Sequence, residues 1–345
     1  MPILSGQDPA AVRAAAAQLA AGALVAFATE TVYGLGARAD DDAAVARIYA
    51  AKGRPAGHPL IVHVASHAAA QGFAERINAD AQRLMAAFWP GPLTIIVPRR
   101  TGLAAAAAGG QSSIGLRWPS HPVAQALLHE TALLGVAGVA APSANLFGRV
   151  SPTQAVHVLQ EFGAALTVLD GGACAVGIES AIVDCTRLHP ALLRPGQLGQ
   201  ARIEAVLGRS LGALDAASPR ASGTLASHYA PLAPVRLFDA VAGVGASMDA
   251  IVVASAVANR HLPASLGSGA VGVLGVYSHL APESGRAWLH KVMPADAQAV
   301  AHELFAVLRD FDAAGVSAIW VERPPPGAQW DGVRDRLQRA AAQPV

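Results

Sequence analysis

Cysteine is scarce in this chain: two residues in 345, Cys174 and Cys185, with no C-x-x-C spacing. That argues against a disulfide scaffold and a structural zinc site, and it fits a reducing, cytoplasmic location. Charge is scarce as well. Only 14% of residues are Asp, Glu, Lys or Arg, and the net charge is +1. Bulk charge therefore offers no basis for tight, salt-driven nucleic-acid binding. The 12 histidines include no H-E-x-x-H zinc motif. The first five residues lack a basic start before an apolar core, so no signal peptide is expected. The uncharged stretch 131–148 contains Pro142, Ser143 and Asn145 and does not read as a lipid-facing helix. No membrane contact is expected, and there is no tandem repeat.

What is present is apolar: 53% of residues, much of it alanine. A chain of this length and composition buries a sizeable core in two ordinary domains or one large one. Over 1–208, apolar runs alternate with helical patterns at irregular spacing. Strands are expected at 23–27, 93–97, 114–117, 136–141, 166–169, 180–184 and 191–193. Helices are expected after Asp8-Pro9, from Asp41 or Asp42 to Lys52, from Ser66 or Asp80, over 122–129, from Ser151 to Phe162, and over Gln200–Leu207. This predicts a mixed-sheet α/β domain. Residues 209–234, rich in Ala, Ser, Gly and Pro, read as a linker. A second alternation follows over 235–345: strands at 235–238, 250–254, 271–276 and 318–321, with a helix at about 295–314. It predicts a smaller, Rossmann-like α/β domain.

The chain is organised around residues 29–63. Thr-Glu-Thr-Val-Tyr-Gly-Leu-Gly at 29–36 follows an apolar run; a helix then delivers Lys52 and Arg54 to a Pro/Gly bend, and Leu60 to Val64 leads away. Strand, small-residue turn and basic bend together suit a phosphorylated ligand. Lys52 and Arg54 taken alone could be the cationic end of a helix. Arg117 and Arg194, each closing an apolar strand beside a proline, shift the balance toward a shared anion pocket. Ser143, Asn145, Ser151 and Ser180 sit at strand or helix ends, where capping and ligand contact are compatible. His63, at the end of a buried strand, is the one histidine singled out. Gly267 to Gly272 matches G-x-G-x-x-G but precedes a strand, so it reads as a glycine-rich loop. Cys174 has no basic neighbour in sequence and reads as an inert thiol.

The motifs taken in order carry a resemblance. They are 29–36, Ala51-Lys-Gly-Arg-Pro55, His58-Pro-Leu-Ile-Val-His63, Trp89-Pro-Gly-Pro-Leu-Thr94, Gly115-Leu-Arg117 with His121-Pro122, and Ala141-Pro-Ser-Ala-Asn145. Ser151-Pro-Thr153, Asp170-Gly-Gly172, Gly177-Ile-Glu-Ser180, Leu193-Arg-Pro-Gly196 and His228-Tyr-Ala-Pro231 complete the set. The chain resembles the threonylcarbamoyl-AMP synthase family in its long form: a YrdC-like domain with a central cationic cavity, a linker that closes over it, and a small C-terminal domain.

The resemblance implies a nucleotidyltransferase. It would join L-threonine, bicarbonate or CO2, and ATP into threonylcarbamoyl-AMP, releasing pyrophosphate, for tRNA modification next to the anticodon. It implies threonine binding by Thr29, His63, Arg117, Ala141 and Ser180. It implies an ATP side of Lys52, Arg54, Ala56, Ser113, Ser143, Asn145, Ser151, Arg194 and Tyr229, with Lys52 and Arg54 catalytic. Mg2+ would ride on the ATP phosphates, with no protein metal site. A downstream threonylcarbamoyl transferase complex and weak tRNA contact are the implied partners. Ala28, Ala181 and the linker run Ser222-Gly-Thr-Leu-Ala-Ser-His228 depart from the common pattern, the last leaving open which linker residues touch nucleotide. The residues by themselves also admit an RNA-gripping concavity or a nucleotide-binding regulator. A carbamoyl-phosphate enzyme shares the domain, but its cysteine clusters are missing here.

Overall fold

Short local signals set the first elements. In the computed structural model, which describes residues 3–215, 218–239, 273–279 and 288–342, Asp8 accepts from the Ala10 amide and Pro9 takes the first turn of α1 (Pro9–Ala20), after β1 (Ile3–Ser5). β2 (Val25–Phe27) is wholly buried and runs antiparallel to β3 (Gly34–Arg38). Asp41 caps α2 (Asp42–Lys52), and Gly53 closes it at φ 61°, a left-handed turn that suits glycine. β4 (Ile61–His63), α3 (His67–Phe73) and α4 (Ala79–Phe88) follow, capped by Ser66 and Asn78; Asp80 lies inside the first turn of α4 and does not begin it. β5 (Leu93–Pro98), β6 (Ser113–Arg117), α5 (Pro122–Leu133), β7 (Val139–Ala140), α6 (Ala155–Phe162), β8 (Thr167–Asp170), β9 (Ala181–Asp184), β10 (Ala191–Arg194) and α7 (Gln200–Leu207) complete this part. The strand expected at 136–141 is only two residues long, cut short by Gly138 on one side and Pro142 on the other.

The ten strands form one mixed sheet in the order β1-β8-β2-β3-β7-β4-β6-β5-β9-β10. Parallel pairs (β4 with β6, β5 with β9) interrupt antiparallel ones. The C-terminal ends of β4 and β6 therefore lie side by side, with His63 in register with Arg117. That pairing places two side chains far apart in the chain at one edge of a hollow.

The second sheet contains β11 (Val235–Phe238), β12 (Leu274–Ser278), β13 (Trp288–Val292) and β14 (Ala318–Glu322), all parallel in the order β11-β14-β12-β13. Two helices accompany them, α8 (Ala297–Ala313) and α9 (Asp331–Ala341). The mixed α/β fold with a smaller parallel α/β partner is as expected. β13 and α9 were not foreseen. The expected strand at 250–254 and the Gly267 to Gly272 loop lie outside the described residues, and the strand placed at 271–276 is observed at Leu274–Ser278.

The core of the second sheet reaches into the first. Val300, Leu304, Phe305, Val333 and Leu337 share one buried cluster with Val32, Val150, Val176, Ile178 and Tyr229. Polar ties reinforce the seam. Asp312 accepts from the Leu232 and Ala233 amides at 2.7 and 2.9 Å, and Arg309 pairs with Glu161 at 2.9 Å.

Candidate active site

A cavity opens where the ends of β2, β4, β6 and β10 meet the segment 222–229. Its walls include Thr29, Arg54, His63, Arg117, Ala141, Ser143, Glu179, Arg194 and Tyr229. Three arginines from three separate parts of the chain thus face one hollow.

The threonyl turn comes first. Thr29 donates its hydroxyl to the Val32 carbonyl at 2.6 Å and accepts from the Thr31 and Val32 amides, which folds 29–32 back on itself. Thr31 then receives Arg117 Nη1 at 2.8 Å. Arg117 also donates through Nε to the Gly91 carbonyl. Its Nη2 lies 2.8 Å from Glu30 Oε1, with both side chains buried. Burial alone would raise the Glu30 carboxyl, but the adjacent Arg117 guanidinium outweighs it and holds the group below its ordinary value.

His63 is buried and faces this turn. Burial, with Arg117 nearby, lowers its pKa to about 3, so the ring is neutral at physiological pH. Its Nδ1 has no hydrogen-bond partner among the described residues. An unsatisfied buried nitrogen beside a cation is a ready contact for a small polar ligand.

On the opposite wall, Arg194 is clamped. Its Nε and Nη2 donate to Ser180 (backbone O 3.0 Å, Oγ 3.2 Å) and Nη1 to the Ser222 carbonyl at 2.8 Å. Arg54 reaches the same segment, donating to Ser222 Oγ at 3.1 Å and to the Pro59 carbonyl at 3.0 Å. Burial lowers its pKa to about 10, which leaves it charged. Gly223 faces the Tyr229 hydroxyl so closely that a Cβ would stand 2.2 Å from it, at φ 74°. Tyr229 itself adopts φ 60° and is buried, stacked 5.4 Å from the Phe305 ring. The segment 222–229 is therefore the roof of the cavity.

The remaining expected residues are placed as follows. Lys52 stands one layer behind the wall: its Nζ donates to the Ser143 carbonyl at 2.6 Å and to the Asn145 carbonyl, so it braces the loop that carries Ser143. Burial, with Arg54 adding, pushes its pKa well below the usual lysine value. Asn145 donates its side-chain amide to the Leu146 and Arg149 carbonyls, and its Oδ1 is buried without a partner among the described residues. Ser151 is buried and donates to Glu179. Ser180 lies under Arg194, with its Oγ 2.8 Å from Thr94 Oγ1. Ser113 lines an adjoining hollow that shares Ile61 and Ser222 with the main one. Ala56 is exposed on the bend after α2.

Sequence reading passed over Thr31, Glu30, Ser222 and, above all, Glu179. Both glutamates lie inside motifs already quoted, at 29–36 and 177–180, so the signal was present. A carboxylate is tolerable in a cationic pocket only beside its own partner, and the partner of Glu179, Arg336, lies 157 positions away in the chain. Among the described residues, no cluster of three His, Cys, Asp or Glu could hold a metal ion.

A mixed sheet with a roofed, arginine-walled hollow at its strand ends defines a protein that encloses a small anionic ligand, phosphate or carboxylate, away from water. The chain matches a family described as "Telomere recombination" over residues 17–196 and one described as "Threonylcarbamoyl-AMP synthase, C-terminal domain" over 198–342. It is 35% identical over 337 residues to a threonylcarbamoyl-AMP synthase of Pyrococcus abyssi, covering 96% of this chain and 94% of that one. It is 38% identical to one of Bacillus subtilis, covering 98% and 94%. The crystal structure of P. abyssi Sua5 complexed with L-threonine is similar at a TM-score of 0.82 and 32% identity, covering 99% of this chain and 97% of that one. The chain belongs to the threonylcarbamoyl-AMP synthase family.

Proposed function

We propose that this chain is an L-threonylcarbamoyladenylate synthase. The threonine amine attacks the carbon of bicarbonate, which loses water, or of CO2, with loss of an amine proton, to give a carbamate. A carbamate oxygen then attacks the α-phosphorus of ATP; the new P–O bond forms as the α–β phosphoanhydride breaks, and pyrophosphate leaves with the electron pair. The observation that supports this best is the meeting of Arg54, Arg117 and Arg194 with a neutral His63 around one cavity.

Each wall suits one part of the reaction. Arg117, which lines the cavity, exchanges its Glu30 contact for the carboxylate of threonine. Neutral His63, Thr29, Ala141 and Ser180 bound the amino-acid end. Arg54 and Arg194 stabilise phosphate charge, and Ser113, Ser143, Asn145, Ser151, Ala56 and Tyr229 flank the nucleotide. Lys52 acts by holding the 143–145 loop in place. The chemistry asks for positioning and charge stabilisation, with no protein nucleophile. Mg2+ arrives on the ATP phosphates and neutralises their charge; the protein offers no cage for it.

Residues 1–208 serve as the catalytic domain, 209–234 as the linker that closes the chamber against water, and 235–345 as the small C-terminal domain. The product passes to a threonylcarbamoyl transferase complex that modifies tRNA next to the anticodon, and any contact with tRNA itself is weak, in keeping with a net charge of +1. The test is pyrophosphate release by purified protein given ATP, threonine and bicarbonate. Release that needs all three supports the assignment; release indifferent to threonine, or none at all, rejects it.

A further inference from the structure

One side chain that the proposed chemistry leaves unused touches two residues of the cavity wall, Glu179 and Tyr229, and the residue next to a third, Arg194. Arg336, on α9, has 0% of its surface exposed. A guanidinium taken wholly out of water must have its donors satisfied. Nε donates to Glu179 Oε2 at 2.8 Å and Nη2 to the Glu179 carbonyl at 3.1 Å. Nη1 donates to Asp335 and to the Pro195 carbonyl, both at 2.8 Å, just beyond Arg194. Its Cζ lies over the Tyr229 ring, 5.3 Å from the centroid. The other oxygen of Glu179 receives Ser151.

The rest of α9 grips the roof. His228 donates its amide to the Arg339 carbonyl, Ser227 its hydroxyl to the Ala342 carbonyl, and Arg339 reaches the Leu225 carbonyl. Gly332 lets the helix come close, since a Cβ there would stand 2.9 Å from the Gly196 carbonyl. For stability alone, an apolar side chain of similar volume would serve as well as this buried charge. Its fork instead sets the relative positions of residues 179, 195 and 229.

We propose that Arg336 is a positioning residue for the nucleotide side of the cavity, acting from the C-terminal domain through Glu179 and Tyr229. This rests on the synthase reading above. The test compares the full-length protein with Arg336→Lys and Arg336→Met, whose fold is checked by circular dichroism and melting. KM for ATP should rise roughly tenfold to a hundredfold, the scale of a displaced binding group. Threonine affinity measured by calorimetry without ATP should stay at the wild-type value. Trypsin should cut faster at Arg220, an exposed residue of the linker. If Arg336→Met fails to fold, Arg336→Lys, which keeps the charge and loses the fork, carries the same measurements. Wild-type KM for ATP together with wild-type trypsin resistance overturns the proposal. So does a fall in kcat with both KM values unchanged, which marks a purely structural role. If the wild type releases no pyrophosphate, the synthase reading fails by itself, and the trypsin comparison decides the coupling of Arg336 to the linker: faster cleavage upholds it and equal cleavage refutes it.

Discussion

Arg117 and Arg336 each hold a buried glutamate at 2.8 Å, one on either side of the cavity. Glu179 has both oxygens engaged, by Ser151 and by Arg336, and its carboxyl is held below its ordinary value despite burial, because Arg336 and Arg194 lie close. Glu30 is held by Arg117 through Oε1. The contrast is between a pair that ties the two sheets together with its arginine outside the cavity lining and a pair whose arginine lines the cavity. An arginine shut away behind the wall has nothing to offer a ligand. One that faces the cavity can offer its charge to an incoming carboxylate, which offsets the cost of loosening its present partner.

The largest expected effect tests the pair that faces the cavity, Arg117 with Glu30. Arg117→Ala removes the cation assigned to the threonine carboxylate and leaves Glu30 buried without its counter-charge. kcat/KM for threonine should fall roughly 100-fold to 1,000-fold, the scale for truncating one partner of a buried charge pair; steady-state kinetics with varied threonine check it, and an unchanged value would break the comparison. Next is Lys52, buried and bonded to the Ser143 and Asn145 carbonyls. Lys52→Ala lets the 143–145 loop drift and should lower turnover about a hundredfold, the scale for misplacing a positioning element. Wild-type pyrophosphate release in that variant would refute the bracing role.

The Arg336 and Glu179 pair should report mainly on stability. Glu179→Gln keeps the shape but leaves Arg336 with Asp335 alone as counter-charge; a loss of about 1–3 kcal/mol is expected, read by denaturant unfolding. A smaller, pH-dependent effect comes from the neutral histidines. His63 and His228 are both lowered to about 3 from an unfolded value near 6.5, by burial first and neighbouring cations second. The unfolded chain binds protons there that the folded chain refuses, so this stability is present above pH 6.5 and is lost as pH falls toward 3. Melting curves from pH 8 to 4 should show the decline, and it should be shallower in His63→Asn. The smallest effect is expected at Cys174, buried and with its thiol pushed up by burial. Cys174→Ser should leave activity unchanged, and the native protein should resist maleimide at neutral pH.

Much of this was legible in the chain. Asp41 and Gly53 bound α2, α7 falls at Gln200–Leu207, and β11 at Val235–Phe238, because caps and apolar periodicity act within a few residues. Arginines at the ends of β6 and β10 stood out for the same local reason. What stayed hidden depends on distance. α9 carries Arg336 at a position that faces the core, and charge at such a position breaks the apolar pattern by which a helix is recognised. Its partner Glu179 lies 157 positions away.

Local order along the chain was thus enough to give most of the elements and the cations that frame a ligand site. Folding alone decided that Arg54, Arg117 and Arg194 face one hollow while Lys52 stands behind it, that Glu179 enters the wall, and that the last helix holds the roof. The reason is physical: a cap or an apolar stripe is made by neighbours in sequence, whereas a buried charge is tolerable only beside its counterpart, and only the completed packing of both sheets brings those counterparts together.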